Sequence, residues 1–528
     1  MKKAISMLIC LLLFLSVVTI QVQAEDATYR DTIVFGQSSE QNSFDPAVNS
    51  SNNVVLPNVY TSLIAIDENN QLIPGLATEW SVAEDQVTWT FKLREGVKFH
   101  SGKAFDADDC VATFTRLMDT SLGLRQSSNY VWIEEVYAED PLTFVLVSKE
   151  PYGAVEGTMS HKSAGIVNAE LVESAGTELG TTPETIDGTG PYKVVEINPG
   201  DNVKFEAFDD YYGGAPLTKY IEFLLIPDQA ARAIAIETGQ IDIVTGLAPD
   251  DVERMNTDDG DGVEIVMNES NGIHLFQFNV ASTNADSAMS KPEVRQAISY
   301  AINRDEICEA LYSPLGELPA RSLLSPSVIG YVDMGVIEQD YDKAKELLAQ
   351  AGYADGLDIS IMTTAIYNKG VEMAEIIVEQ LKGAGINATL EVVERAVFIE
   401  SLEGLTPEEY NEKYGWDMFI MGAGGDIDAH QSTYRVFHTA DTGTNENNYG
   451  FYSNADVDKL LEDAAANVDP ESRVEMYKEA MQILIYDDPI GVTMNQRNNV
   501  YGLSENVENF LLNAGNTIDW KVLQIRED

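Results

Sequence analysis

The residues best suited to chemistry lie in one short run, Met421-Gly-Ala-Gly-Gly-Asp426-Ile-Asp428-Ala-His430, with His438 a little further on. Paired carboxylates serve glycosidases, but those flank the scissile bond from two sides. Two carboxylates spaced i, i+2 in one loop are an unusual source for such a pair. Asp426, Asp428, His430 and His438 contain metal-ligating types. An i, i+2, i+4 set would share one face of a strand, but the glycines point to a loop. Asp258-Asp-Gly-Asp-Gly262 fails the EF-hand calcium pattern at its first and last positions. The chain has no Gly-x-Ser-x-Gly, no His-Glu-x-x-His and no cysteine–histidine signature. The sequence therefore favours neither an enzyme nor a metal site, and it calls for no cofactor.

The charge balance excludes other classes. Lys plus Arg number 33 against 86 Asp plus Glu, a formal net charge of -53. Such a chain repels phosphate backbones and anionic membranes, so nucleic acid is not an expected partner. The charge is dispersed rather than gathered in a tail. With 44% hydrophobic residues the chain can build cores, so disorder is excluded. An acidic surface of this kind suits high salt, where repulsion is screened.

The N-terminus joins Met1-Lys2-Lys3 to an apolar run ending near Ile20, with Ala24 before Glu25-Asp26. This is the pattern of a signal peptide over 1–24, cleaved after Ala24. The apolar core is shorter than the ~20 residues a membrane span needs. Cys10 lacks the small residue before it that a lipid-anchored cysteine would have. The mature chain is expected free in the periplasm or secreted. Cys110 and Cys308 then remain, in helix-like segments far apart. Buried free thiols are expected, with one disulfide as the alternative.

The remaining length exceeds one ordinary core, so two or three domains are expected. Period-two alternation predicts a strand at 87–94, and 31–36, 143–147, 192–197 and 202–208 also read as strands, the last paired to 192–197. Asp106–Met118 has an acidic first turn and helical spacing of apolar residues. Beyond about 290, helices are predicted at 293–312, 342–351, 370–384, 455–468 and 471–486. Strands at 357–362, 388–393 and 416–421 lie between them. The fold class is α/β with some parallel strands. Gly352 and Gly385 fall at expected helix C-caps.

Leu76-Ala-Thr-Glu-Trp-Ser-Val-Ala-Glu-Asp-Gln-Val-Thr-Trp-Thr-Phe-Lys-Leu-Arg-Glu-Gly-Val-Lys-Phe-His100 resembles the signature of the large extracellular solute-binding proteins, family 5, of peptide and nickel ABC importers. Gly102–Asp109, Gly188–Tyr192, Tyr211–Pro216, Ile226–Arg232, Gly239–Ile243, Val294–Asp305 and Arg473–Ala480 continue it in family order. Read from the residues alone, these are scaffold: Trp80 and Trp89 as core, Arg232 and Asp242 as structural pairs.

The resemblance implies a two-lobed periplasmic-binding-protein-like fold of the large, cluster C type. Lobe I would take 25–279 and 493–528, and lobe II 280–492, with hinges at Phe278-Asn279 and Val492-Thr493. A peptide or small-molecule ligand would lie in the cleft and be enclosed as the lobes close. The partners implied are ABC permease subunits in the membrane, with the chain itself a monomer. Alternatives within the same fold are an oligosaccharide or a nickel complex.

In peptide-binding members a carboxylate holds the ligand's ammonium. Asp426 matches that position and Asp428 a nearby acidic one. The sequence departs from the family at Ala423, where Trp is frequent. It departs again at Thr363–Asn368, which lacks the arginine that dipeptide binders use for the ligand carboxylate. Arg395 falls where that group has a pocket tryptophan and could supply the missing cation. The plainer reading is an exposed arginine paired to Glu394 or Glu391. Tyr367 is a candidate pocket wall. From the first lobe the candidates are Ser50 and Ser51 after Phe44-Asp-Pro46, together with Tyr130, Trp132 and the His161–Ser163 region.

Overall fold

A computed structural model describes residues 28–41, 43–49, 54–257, 262–283, 288–402, 404–440, 443–445 and 448–527. The expected signal peptide, Ser50, Ser51 and most of the acidic 258–262 turn lie outside the described residues.

Each predicted strand has its counterpart, and most join a single ten-stranded sheet. In spatial order its strands are Ile386–Val393, Leu357–Thr364, Met418–Gly424, Val263–Phe278, Gly491–Ser504, Ile243–Thr245, Thr32–Gln37, Tyr220–Leu225, Asn202–Ala207 and Tyr192–Asn198. Leu357–Thr364 runs parallel to both its neighbours, and so does Thr32–Gln37. A separate antiparallel sheet holds Ala77–Val82, Thr88–Leu93, Thr143–Ser148 and Ile133–Asp140. The helix Ala107–Met118 covers that sheet. Asp106 caps it in a reciprocal box with Asp109, and it buries Cys110, Phe114 and Leu117. Phe114 stacks on Phe144 at 5.4 Å.

The scaffold readings hold. Trp89 is buried. Trp80 is half-buried, with its indole donating to Glu156 Oε1 at 2.5 Å. Asp242 accepts both guanidinium nitrogens of Arg30, at 2.7 and 3.1 Å. Arg232 donates to the carbonyls of Ile226, Pro227, Thr245 and Gly246. Gly352 and Gly385 follow their helices with φ of +95° and +84°. Cys110 and Cys308 are buried and free.

One helix differs from expectation. The segment 293–312 is two helices, Pro292–Ala301 and Arg304–Leu311. Asn303 breaks the run by capping the second helix through Glu306 N. The guanidinium of Arg304, buried in the break, donates to the carbonyls of Ser299, Ile302, Ile337 and Thr493.

The chain passes between the lobes along Val263–Phe278 and returns along Gly491–Ser504, and these strands pair antiparallel. Residues 272–278 already pair with Met418–Gly424 of the second lobe. The register slips between Glu269 and Ile273 and again before Leu275. Residues 263–269 of the first strand thus pair with the returning strand, and residues 272–278 pair with Met418–Gly424. The returning strand pairs with the first from Gly491 to Ser504. Beside it runs the 317–320 segment: Ala320 N donates to Met494 O at 3.0 Å, and Gln496 N to Leu318 O at 2.8 Å. Glu317, buried there, accepts from Asn498 N at 3.2 Å and from the Asn495 side chain.

Burial pushes the Glu317 carboxyl from 4.5 up to about 7, against those hydrogen bonds and the charge of Arg497. The folded state therefore holds this proton more tightly than the unfolded chain does. Stability from this group is full below about pH 4.5 and is lost as pH rises through about 7. Glu317→Gln should flatten that fall in the urea midpoint. A variant retaining the wild-type slope would contradict the assignment.

Candidate functional site

The strand Met418–Gly424 ends in two glycines with φ of +79° and +113°, Gly424 and Gly425. A Cβ at Gly424 would stand 2.4 Å from the Asn271 carbonyl oxygen, so only glycine lets the chain turn this close to the crossing strand. Gly425 N donates back to Asn271 O at 3.1 Å. The turn delivers Asp426 into a cavity of about 390 Å³ between the lobes. That volume lies within the range of small-ligand sites. Thr61, Ser160, His161 and Lys162 line it from the first lobe, Asn271 from the crossing strand, and Asp426 from the second lobe.

The Asp426 side chain is one-third exposed, and its Oδ1 lies 3.4 Å from His161 Nε2. His161 Nδ1 is 2.6 Å from Ser163 Oγ, which is 2.7 Å from the hydroxyl of buried Tyr130. A polar chain therefore runs from the first-lobe core to the second-lobe carboxylate. Burial raises the Asp426 carboxyl, but the His161 hydrogen bond and the charges of His161, Lys162 and Arg435 outweigh it, so the net shift is downward. Burial lowers the Lys162 ammonium to about 8, opposed by Asp426. Asp426 is thus a fixed anion at the cleft.

Asp428 has another task. It is 2% exposed and pairs with both guanidinium nitrogens of Arg473, at 2.7 and 3.1 Å. Its Oδ1 also caps the helix Ala429–Phe437 through His430 N at 2.8 Å. It does not line the cavity.

Trp132 stacks on Tyr152 at 4.1 Å, and Tyr152 meets His430 edge-on at 5.2 Å, so Trp132 supports a lobe–lobe contact rather than the cavity. Tyr130 acts behind the wall, through Ser163 and His161. Tyr367 accepts a hydrogen bond from Gly422 N at 3.2 Å and packs edge-on to His274. Arg395 is exposed at the start of helix Arg395–Ser401, apart from the cavity. Glu391, one of its expected partners, takes the Trp416 indole instead. The four residues weighed as a metal set are each engaged separately: Asp426 with His161, Asp428 with Arg473, His430 with Tyr152, and His438 with Glu462.

Sequence reasoning reached Lys162 only within the His161–Ser163 region and missed Asn271 and Arg473 as parts of this region. Arg473 lay within a family motif, but its partner is 45 residues away. Only the fold brings the two together.

The profile of the bacterial extracellular solute-binding proteins, family 5 (middle part), matches residues 71–444. The chain belongs to this family. It is a substrate-binding component of an ABC importer, as the resemblance implied. The family is one of binding proteins rather than catalysts.

The glutathione-binding protein GsiB of Escherichia coli (strain K12) is 26% identical over 461 residues, covering 87% of each chain. The ABC transporter substrate-binding protein CtaP from Listeria monocytogenes matches the fold with TM-score 0.83 at 23% identity, covering 95% of this chain and 100% of that one. DppA from Helicobacter pylori, solved with the peptide STSA, gives TM-score 0.76 at 22% identity, covering 94% and 99%. The α/β, two-lobed binding-protein fold is established by these matches. Among the described residues no helix is long and apolar enough to cross a membrane.

Removing the charge of Asp428 leaves a buried guanidinium uncompensated, which costs about 3–5 kcal/mol. Asp428→Asn should therefore lower the unfolding free energy by about that amount in urea titration. A loss smaller than about 1 kcal/mol would contradict the structural role.

Proposed function

We propose that this protein captures a short peptide, or a peptide-like zwitterion, between its lobes and presents it to the permease subunits of its ABC importer. One observation carries the reading: Asp426, a carboxylate held in its charged form, stands at the end of a glycine turn in the interlobe cavity. A buried ammonium needs such an anion, because an unpaired charge in that position costs several kcal/mol. His161 Nε2, 3.4 Å from Asp426 Oδ1, is a contact that a ligand ammonium would share or displace. The similarity to glutathione-binding GsiB and to DppA with its bound peptide supports the same class. In this reading the N-terminal 1–24 segment is removed on export. The mature protein works as a monomer outside the membrane, and no cofactor takes part.

Asp426→Asn keeps the shape and removes the charge. In titration calorimetry it should weaken a peptide that binds wild type by about ten- to a hundredfold, as for a lost charged hydrogen bond. N-acetylation of the same peptide should produce a similar loss in wild type and little further loss in the variant. Equal affinities for wild type and variant would remove Asp426 from the site.

A further inference from the structure

We infer that His161 is a positioning residue for the Asp426 carboxylate: held in one tautomer by the first lobe, it reaches across the cleft with a single N–H donor, so that lobe closure itself completes the ammonium receptor. This deepens the peptide reading and rests on it.

The tautomer follows from the partners. Ser163 N donates to His161 Nδ1 at 3.2 Å, capping the short turn Lys162–Ala164. A backbone N–H can only donate, so Nδ1 is an acceptor and the ring proton sits on Nε2. Ser163 Oγ, 2.6 Å from the same Nδ1, then donates as well, and accepts in turn from the hydroxyl of buried Tyr130 at 2.7 Å. The donors of Tyr130, Ser163 and His161 therefore all point one way, ending on Asp426 Oδ1 at 3.4 Å.

Contacts within the first lobe fix the place of the ring. His161 N donates to Thr158 O at 3.3 Å, and Ser62 Oγ donates to His161 O at 3.3 Å. The imidazole is only 13% exposed. The preceding helix, Val155–Ser160, lies against the second lobe, where a Cβ at Gly157 would stand 2.8 Å from Asp428 Cβ. Only glycine allows that approach. His161 follows Gly157 by one turn, on the same side, and there meets Asp426.

The contact leaves room for a ligand. An ionised carboxylate has about four acceptor sites. The 3.4 Å separation is longer than the about 2.7–2.9 Å of a full charge-assisted bond. An ammonium therefore binds the carboxylate together with His161, and donors from opposite sides hold it in one orientation. Nε2 already carries its proton and cannot accept from the ammonium. His161 thus acts on the ligand only through Asp426.

The test uses the full mature protein and one peptide, selected from a mixture of di-, tri- and tetrapeptides by native mass spectrometry. Asparagine keeps an acceptor near Nδ1 for the turn but loses the far donor, whereas glutamine places an amide N–H near Nε2. His161→Asn should weaken the peptide by about tenfold or more in calorimetry. His161→Gln should recover most of that affinity, which a merely structural role would not produce. In the Asp426→Asn background, His161→Asn should cost less than about twofold further. Nitrogen-15 NMR at mildly alkaline pH should show the His161 proton on Nε2 and none on Nδ1. Unchanged affinity in His161→Asn, an equal loss in His161→Gln, a full further loss in the Asp426→Asn background, or a proton on Nδ1 overturns the assignment and leaves the peptide reading standing. If wild type retains no peptide from the mixture, the peptide reading falls and this inference falls with it.

Discussion

The site depends on a flaw in the pairing of two strands. Val263–Phe278 and Gly491–Ser504 form one antiparallel ribbon joining the lobes, and its register slips near residues 269–273. A regular ribbon would spend its backbone groups on the opposite strand. The slip leaves the Asn271 carbonyl for Gly425 N, and the Ser270 carbonyl for Gln496 and Ser325. The glycine turn that carries Asp426 is therefore hydrogen-bonded to the crossing strand itself. It is thus tied to that strand both by this bond and by the Gly272–Gly424 pairing just before it.

Lobe contact outside the ribbon is made by small residues and flat rings. Gly153 N donates to Ala465 O at 2.7 Å, and a Cβ there would collide with the Asn467 carbonyl. A Cβ at Gly157 would press on Asp428 at 2.8 Å. Trp132, Tyr152 and His430 continue the seam. The Asp428–Arg473 pair lies at the same seam, against Gly157 and Gly153 of the first lobe. Asp426 and Asp428 thus divide two tasks within three residues: one meets the cavity, and the other holds the wall that meets the opposite lobe.

Much of this was legible in the sequence because it is local. Period-two alternation located the strand at 87–94, Asp106 and Asp109 announced their helix, and Gly352 and Gly385 marked helix ends. Asp426 could be singled out because it matches the position of the family's ammonium-binding carboxylate, in a glycine-rich turn after an apolar strand. Asp428 matched a nearby acidic position and its own task was not visible in sequence, because its partner Arg473 arrives only through packing of distant helices. The break at Asn303 was hidden because the apolar spacing of the two helices runs in phase, and Arg304 satisfies the broken turn from inside. The register shift between Glu269 and Ile273 was equally hidden, since such a slip leaves no compositional mark. Arg395 fell in the expected place along the chain but stands exposed at a helix start.

The central claim is that the interlobe cavity holds a short peptide-like zwitterion. The most direct measurement is native mass spectrometry of the purified mature protein, followed by denaturation and chemical identification of the small molecule released. The account predicts a one-to-one adduct that yields a compound with a free amine and a free carboxylate. A released neutral sugar or a metal complex without a free amine would contradict it.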